Sequence, residues 1–444
     1  MDTSLWYRLR ILWAHKDLLR CHVPPLFRHY VAAFRKSQLA AARCLKGKLE
    51  RGERLETAFF LSVPGMWKSD YLFQAMRNDG RFHPYVVVCP YSVYKGFGCD
   101  EVESTLRRTQ QFITEKGFEC VVPRDGQGRW IDVRRKLKPD MVVFTSPYKD
   151  ALPQHYIYHY RHTLTCYVPY SVTVFKTYGS NYDLIFHNVV GLHFVETQVH
   201  KQLAAANARN QAVNVAVTGY PGTEVFFRKD YRPRDTWKPQ PPAPCGERKK
   251  RVIWAPHHTI EDPSNLPLST FLAYADDMLR LAEKHKEDLQ FAFKPHQLLK
   301  FKLYELWGKE RTDRYYRRWE EGENTQCEET SYVDLFLTSD AMVHDSGSFT
   351  AEYLYTRKPV MFLLRNEQTR SLFSPFGALA FEQHYQGRSA EDIEHFLTEV
   401  TLQGKDSMRE GRERFFEQTL VPGGLLPSQA IIKTIENIIQ DKNQ

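Results

Sequence analysis

Residues 339–363, SDAMVHDSGSFTAEYLYTRKPVMFL, decide the fold. The apolar run 341–344 is too short for a helix and predicts a strand. Asp345-Ser346-Gly347-Ser348 is a polar turn with a glycine inside it. Residues 349–355 then resume a helical pattern until Lys358-Pro359 stops it, and 359–363 predicts a second strand. Strand, turn, short helix and strand in this order make a βα unit of a parallel sheet.

The same alternation extends in both directions. Upstream, strands are expected at 57–63, 85–89, 119–122, 141–144, 164–168, 184–186 and 193–195, with helices at 101–116 and 130–137 between them. Residues 228–250 break the pattern with five prolines among many basic residues, the composition of a linker. The alternation then restarts with strands at 251–255 and 289–294 and a helix at 268–286. A polar, mobile stretch is expected around 307–330, and helices at 390–402 and 428–441 close the chain. The expected organisation is an arm at 1–54, a Rossmann-like α/β domain at 55–227, a Pro-rich linker at 228–250, and a second Rossmann-like domain at 251–444. Ligand sites in such sheets lie at the C-terminal ends of the strands.

Composition agrees. A chain of 444 residues with 42% hydrophobic and 14% aromatic residues can bury two large cores, which excludes a disordered or collagenous protein. Eight dispersed cysteines without a CxxC pair indicate neither a zinc knuckle nor a disulfide framework, and so a reducing compartment. There is no 18-residue apolar run to span a bilayer, and charged residues interrupt any secretory core at the N-terminus.

The net charge of +8 resides wholly in residues 1–54, where twelve basic residues face four acidic ones, and the remainder is balanced. A neutral body argues against nucleic acid as partner. The arm also carries Leu5, Trp6, Leu9, Leu12 and Trp13, then Leu26, Phe27, Tyr30, Val31 and Phe34, at helical spacing. Basic amphipathic helices of this kind lie on anionic membrane surfaces, or else pack their apolar face on the body.

Three segments that follow expected strands carry candidate chemistry. In Trp254-Ala-Pro-His-His-Thr259, His257 or His258 could serve as a general base or phosphate contact. In Phe293-Lys-Pro-His296, Lys294 and His296 suit a diphosphate, which needs donors. In the 345–348 turn, Ser346, Gly347 and Ser348 offer hydroxyls and N–H groups to an anion, and Glu352 could accept from ribose hydroxyls. There is no GxGxxG after a strand, no P-loop and no GxSxG, and no cluster at metal-ligand spacing calls for a metal.

The order of Asp, Ser, Glu352-Tyr353 and Lys358-Pro359 across 339–360, together with VTGYPGTEVFF at 217–227, KKRVIWAP at 249–256 and FKPH at 293–296, resembles the CDP-glycerol glycerophosphotransferase family of teichoic-acid and capsule polymerases. The resemblance spans roughly 210–365. It implies a GT-B fold whose C-terminal domain, 251–444, holds a nucleotide-activated donor and whose N-terminal domain, 55–227, presents the acceptor hydroxyl, with no cofactor and no metal. It also implies His296 and the 346–348 turn at the diphosphate, Glu352 at the ribose, and a peripheral enzyme on the inner face of the membrane. The family's histidine loop, HG-x-P-x-K, aligns near 168–173, which contains no histidine. The family's APTW is here Ala255-Pro-His-His258, so His257 and His258 become the candidate bases. The expected function is transfer of a polyol phosphate from a CDP-activated donor to a lipid-linked or saccharide acceptor in cell-wall or capsule polymer synthesis. A histidine takes the acceptor proton, and Lys294, His296, Ser346 and Ser348 stabilise the leaving nucleotide. The alternatives are a GT-B glycosyltransferase or epimerase acting on a nucleotide sugar, and a non-catalytic membrane-surface scaffold.

Overall fold

The structure, a computed structural model, describes residues 24–91, 99–261, 266–328, 332–421 and 423–440. The chain divides into two units. The first comprises 1–171, 177–224 and 422–444, and the second 172–176 and 225–421.

The first unit is built on a seven-stranded parallel sheet in the order β3-β2-β1-β4-β5-β6-β7. Its strands are β1 (Leu55–Leu61), β2 (Phe82–Val88), β3 (Cys120–Val121), β4 (Met141–Phe144), β5 (Leu164–Tyr167), β6 (Leu192–Val195) and β7 (Val215–Val217). Along β1, Leu55, Phe59 and Leu61 enter one core and Ala58 and Phe60 the other, so both faces of the sheet are buried. Two-sided burial is why these strands read as continuous apolar runs. Residues 184–186, expected as a strand, lie at and within the helix Ile185–Val189. Three apolar residues are too few for periodicity to separate strand from helix.

The helix Pro24–Glu50 buries Phe27, Phe34, Gln38, Ala41, Ala42 and Leu45 and leaves Arg28, Arg35, Lys36, Arg43 and Lys46 exposed. Its apolar face is therefore covered by the first unit, and this half of the arm is part of the fold rather than a free membrane-binding helix. Gln38, 1% exposed, fastens it: its amide donates to the carbonyls of Tyr160, Arg161 and Thr163 and accepts from the N–H and hydroxyl of Thr165. The membrane expectation for residues 1–23 lies outside the described residues.

The second unit carries a six-stranded parallel sheet in the order β10-β9-β8-β11-β12-β13. Its strands are β8 (Lys250–Ala255), β9 (Leu289–Phe293), β10 (Thr325–Cys327), β11 (Ala341–His344), β12 (Val360–Leu363) and β13 (Tyr385–Gly387). Both units thus start on a central strand, build outward on one side, and cross back to build on the other. The crossovers put topological switch points between β1 and β4 and between β8 and β11.

Three expectations are corrected here. Residues 307–330 contain the helix Lys309–Glu321, which buries Thr312, Tyr315, Tyr316 and Trp319, and then β10. Charged residues on its outer face mask the aromatic stripe. The Pro-rich stretch 228–250 is not a free linker. Trp237 is buried and donates to the Thr338 hydroxyl, Lys238 exchanges hydrogen bonds with Gln326 and Gln290, and Tyr231 donates to Asp334. Side-chain amides of neighbouring strands satisfy this irregular backbone, a pairing that composition does not reveal.

The closing helix Pro427–Ile439 belongs to the first unit, not to the domain expected at 251–444. Ile431, Ile435 and Ile439 enter the core beside Leu72 and Met76, and buried Glu224 accepts from the N–H and hydroxyl of Ser428 at 2.7 and 2.9 Å. Ile435→Ala should therefore lower the stability of the protein by about 2–5 kcal/mol in urea unfolding. A loss below about 0.5 kcal/mol would place that side chain on the surface.

Candidate functional site

The candidate residues converge at the β8/β11 switch point of the second unit. Register pairs Ala255 with His344 and Trp254 with Phe293, so β8, β11 and β9 end side by side. Their continuations are Pro256-His257-His258, Asp345-Ser346-Gly347-Ser348 and Lys294-Pro295-His296, the three segments singled out in sequence.

One carboxylate ties these loops together. Asp345, 1% exposed, accepts the backbone N–H of His257 at 2.5 Å, the backbone N–H of Thr270 at 2.5 Å and the Thr270 hydroxyl at 2.8 Å. Thr270 is the N-cap residue of the helix Phe271–Lys284, so the acid also sits at a helix start. Burial pushes its pKa up to about 6, and the three donors oppose a larger rise. Asp345 was missing from the candidates read in sequence; its only signal is its place between a strand and the Ser-Gly-Ser turn.

His257, His258 and His296 form one cluster, with ring centroids 4.3 Å (257–258), 5.1 Å (257–296) and 4.1 Å (258–296) apart. Burial and mutual repulsion hold His257 far below the ordinary histidine range. Burial, aided by His258 and Lys294, brings His296 down to about 3, and burial lowers His258 also. Three neutral imidazoles result. The hydrogen-bond network assigns the proton of one of them. The N–H of Leu298 donates to His296 Nδ1 at 3.2 Å, which leaves the ring proton on Nε2. At His257, Nδ1 meets the Thr259 hydroxyl at 2.9 Å, and that oxygen already accepts from Leu268 N–H. A hydroxyl oxygen can accept from both, so this contact does not fix the His257 tautomer. His258 Nδ1 has no partner among the described residues, so nothing fixes its tautomer.

The sequence shows no cluster at metal-ligand spacing, yet the fold assembles one, with the nitrogens of these three histidines within 4.8 Å of one another. His296, whose Nδ1 accepts a backbone N–H, offers Nε2–H as a hydrogen-bond donor while the ring is neutral.

The other candidates differ in the contacts that the fold gives them. The Ser346 hydroxyl donates to the carbonyl of Ala255 at 2.9 Å and its N–H to His344 Nδ1 at 3.1 Å. Ser346 thus stitches β11 to β8, contrary to its expected role as an anion donor. Gly347 is closely packed, since a Cβ there would lie 3.0 Å from the Phe175 ring. Ser348 occupies the N-cap position of the helix Phe349–Glu352, and its hydroxyl makes no capping bond. Lys294 is 8% exposed, next to His296. Glu352, 2% exposed, accepts from the Tyr332 hydroxyl, which burial keeps protonated.

Solved structures share this architecture. A variant of the wall teichoic acid polymerase TagF matches with a TM-score of 0.54 and 11% identity over 99% of both chains. A protein described as a UDP-N-acetylglucosamine 2-epimerase from Listeria monocytogenes matches with 0.55 and 14% over 87% of this chain and 97% of its own. S. aureus MnaA, solved with UDP, matches with 0.53 and 14% over 86% and 96%. At such identities the likeness establishes the fold, two parallel-sheet α/β domains of GT-B type. No curated protein matches the chain. The family described as CDP-glycerol:poly(glycerophosphate) glycerophosphotransferase matches residues 177–419, the segment that contains every candidate side chain above. That match covers more than half of the sequence, so the chain belongs to the CDP-glycerol:poly(glycerophosphate) glycerophosphotransferase family and is a transferase.

Proposed function

We propose that the protein transfers a glycerol-phosphate-like polyol phosphate from a CDP-activated donor to a hydroxyl of a saccharide or lipid-linked acceptor, in the synthesis of a cell-wall polymer. The observation that carries this reading is the cluster of neutral histidines beside Lys294 and the 345–348 turn. A diphosphate presents only acceptor oxygens, and these groups present donors and one fixed positive charge.

The acceptor oxygen forms a bond to the distal phosphorus of the donor, and the anhydride bond to the proximal phosphate breaks. CMP departs with the electron pair of that bond, and the acceptor loses its proton to a base. His296, with its hydrogen on Nε2, and His257 donate to the phosphoryl oxygens, and Lys294 adds charge as the leaving group becomes more negative. His258 Nδ1 has no partner among the described residues, so this ring can take the acceptor proton without breaking an existing hydrogen bond. In this reading Glu352, which accepts from Tyr332, contacts the ribose, and Ser348 supplies the turn's hydroxyl. Ser346 acts only through the backbone it holds.

CMP release from CDP-glycerol is the direct measurement. His296→Ala should reduce kcat about 10²-fold or more with the circular-dichroism spectrum unchanged. Wild-type turnover in that variant would remove His296 from the mechanism.

Bound phosphate charge favours the imidazolium forms, so the histidines, held low in the free protein, rise on binding. Folding gains nothing from these rings at neutral pH, but binding does: CDP affinity should increase as pH falls from about 8 to about 6. Calorimetry in buffers of different ionisation enthalpy should register net proton uptake. Binding without proton uptake would show that the nucleotide does not sit on the cluster.

The membrane reading rests on residues 1–23, because the apolar face of the next helix is already covered. Among the described residues no helix is long and apolar enough to cross a membrane. The proposed location is peripheral, on the inner face. The full chain should co-sediment with vesicles containing anionic lipid, and a chain lacking residues 1–23 should not. Equal binding by both would exclude this segment as the anchor.

A further inference from the structure

The second unit has a cavity of about 290 Å³ at the opposite end of its sheet from the histidine cluster. Arg248 and Lys249 run into β8 and Arg251 lies at its start, whereas His257 follows its end at Ala255. At ~3.3 Å per strand residue, Arg251 and His257 stand roughly 20 Å apart. The volume lies just under the roughly 300–1,000 Å³ of pockets for drug-sized ligands, so it suits a small ion.

The lining is cationic. Arg248, Lys249 and Arg251 stand beside Gln240 and Gln290, and no carboxylate is among the lining residues. Lys249 and Arg251 are two apart and so share one side of the sheet, and Arg251 pairs in register with Gln290. Two acids stand behind the wall, each held by an arginine. Asp340 lies 2.9 and 3.0 Å from the two terminal nitrogens of Arg248, and Asp235 accepts from Arg251 at 2.8 Å.

What remains is unbalanced. Lys249, 3% exposed, has no carboxylate partner among the described residues, and its ammonium donates to the carbonyl of Lys286 at 2.6 Å. Arg251, 9% exposed, lies over the Trp237 ring at 5.3 Å, and its buried Nε–H has no acceptor among the described residues. Gln240 shows the converse lack. Its amide nitrogen donates to the carbonyl of Glu323 at 2.6 Å, while its Oε1, shielded from solvent, has no donor among the described residues. A buried ammonium on a single carbonyl is costly, because a carbonyl offers only part of a charge. A bound anion removes that cost through charge-assisted hydrogen bonds. An anion that keeps a hydroxyl also donates to Gln240 Oε1, which a fully ionised one cannot do.

We propose that this cavity binds a small phosphate-class oxyanion, held by Lys249, Arg248 and Arg251, with its hydroxyl on Gln240. Inorganic phosphate and the phosphate end of a phosphomonoester share this chemistry. The site is separate from the histidine cluster, and its assignment does not rest on the transferase reading.

Calorimetric titration of the full chain at about pH 7 and constant ionic strength tests it, with inorganic phosphate, glycerol 3-phosphate and sulfate as probes. Because phosphate can also reach the histidines, each titration is repeated in His296→Ala, where the binding is expected to persist. Heat from inorganic phosphate alone assigns the free ion, and heat from glycerol 3-phosphate assigns the phosphomonoester. Sulfate, which lacks a hydroxyl at this pH, should bind several-fold more weakly. Lys249→Met keeps the length of the side chain and removes its charge. It should abolish the binding while leaving the protein as resistant to urea as the wild type, or more so, when phosphate is absent. Arg248→Gln, at a half-exposed side chain, should weaken affinity about tenfold. No heat from any probe, binding lost in His296→Ala, binding kept in both Lys249→Met and Arg248→Gln, or equal affinity for sulfate would each overturn the proposal.

Discussion

A buried carboxylate organises the donor half of this protein. Asp345 closes three hydrogen bonds from two other segments, the loop after β8 and the start of the helix at Thr270. Without that acceptor, two buried backbone N–H groups lose their partner, and the loop that carries His257 and His258 loses its anchor. The acid is raised in pKa because burial opposes its charge, and the three donors that it anchors oppose that rise. A carboxylate is suited to the task because it offers several acceptor positions on one small group.

Around that anchor the histidines acquire properties that none would have alone. Packed with ring centroids 4.1–5.1 Å apart, His258 and His296 lower the tendency of His257 to protonate, His258 lowers that of His296, and one backbone N–H sets which nitrogen of His296 carries the hydrogen. The result is a set of neutral donors, which can approach a diphosphate without first binding a counterion. The first unit repeats the topology. Parallel sheets leave the carboxyl ends of two diverging strands unobstructed at a switch point, so each sheet provides one such place.

Much of this was legible in the sequence. The strands at 141–144 and 341–344 agree with the expected bounds, because short apolar runs between turn signals leave little choice. The three loops of the donor site were legible because each follows such a run. Less visible were elements whose burial depends on a distant partner. The helix Lys309–Glu321 looked like a charged loop, the 228–250 segment like a free linker, and Ser346 like a ligand donor until its hydroxyl was found on Ala255. In each case the deciding contact joins residues with no local relation.

By itself the sequence determined the βα alternation, the two sheets and the residue types available after each strand, since these follow from periodicity and turn chemistry within a few residues. Only the tertiary structure decided that His257, His258 and His296 share one cluster, that Asp345 holds the loop beneath them, and that the closing helix returns to the first unit. Strand order brings β9, β8 and β11 together although their ends are far apart in the chain. Proton positions and charge states are then set by burial and by neighbours across strands, quantities that exist only once the chain has folded.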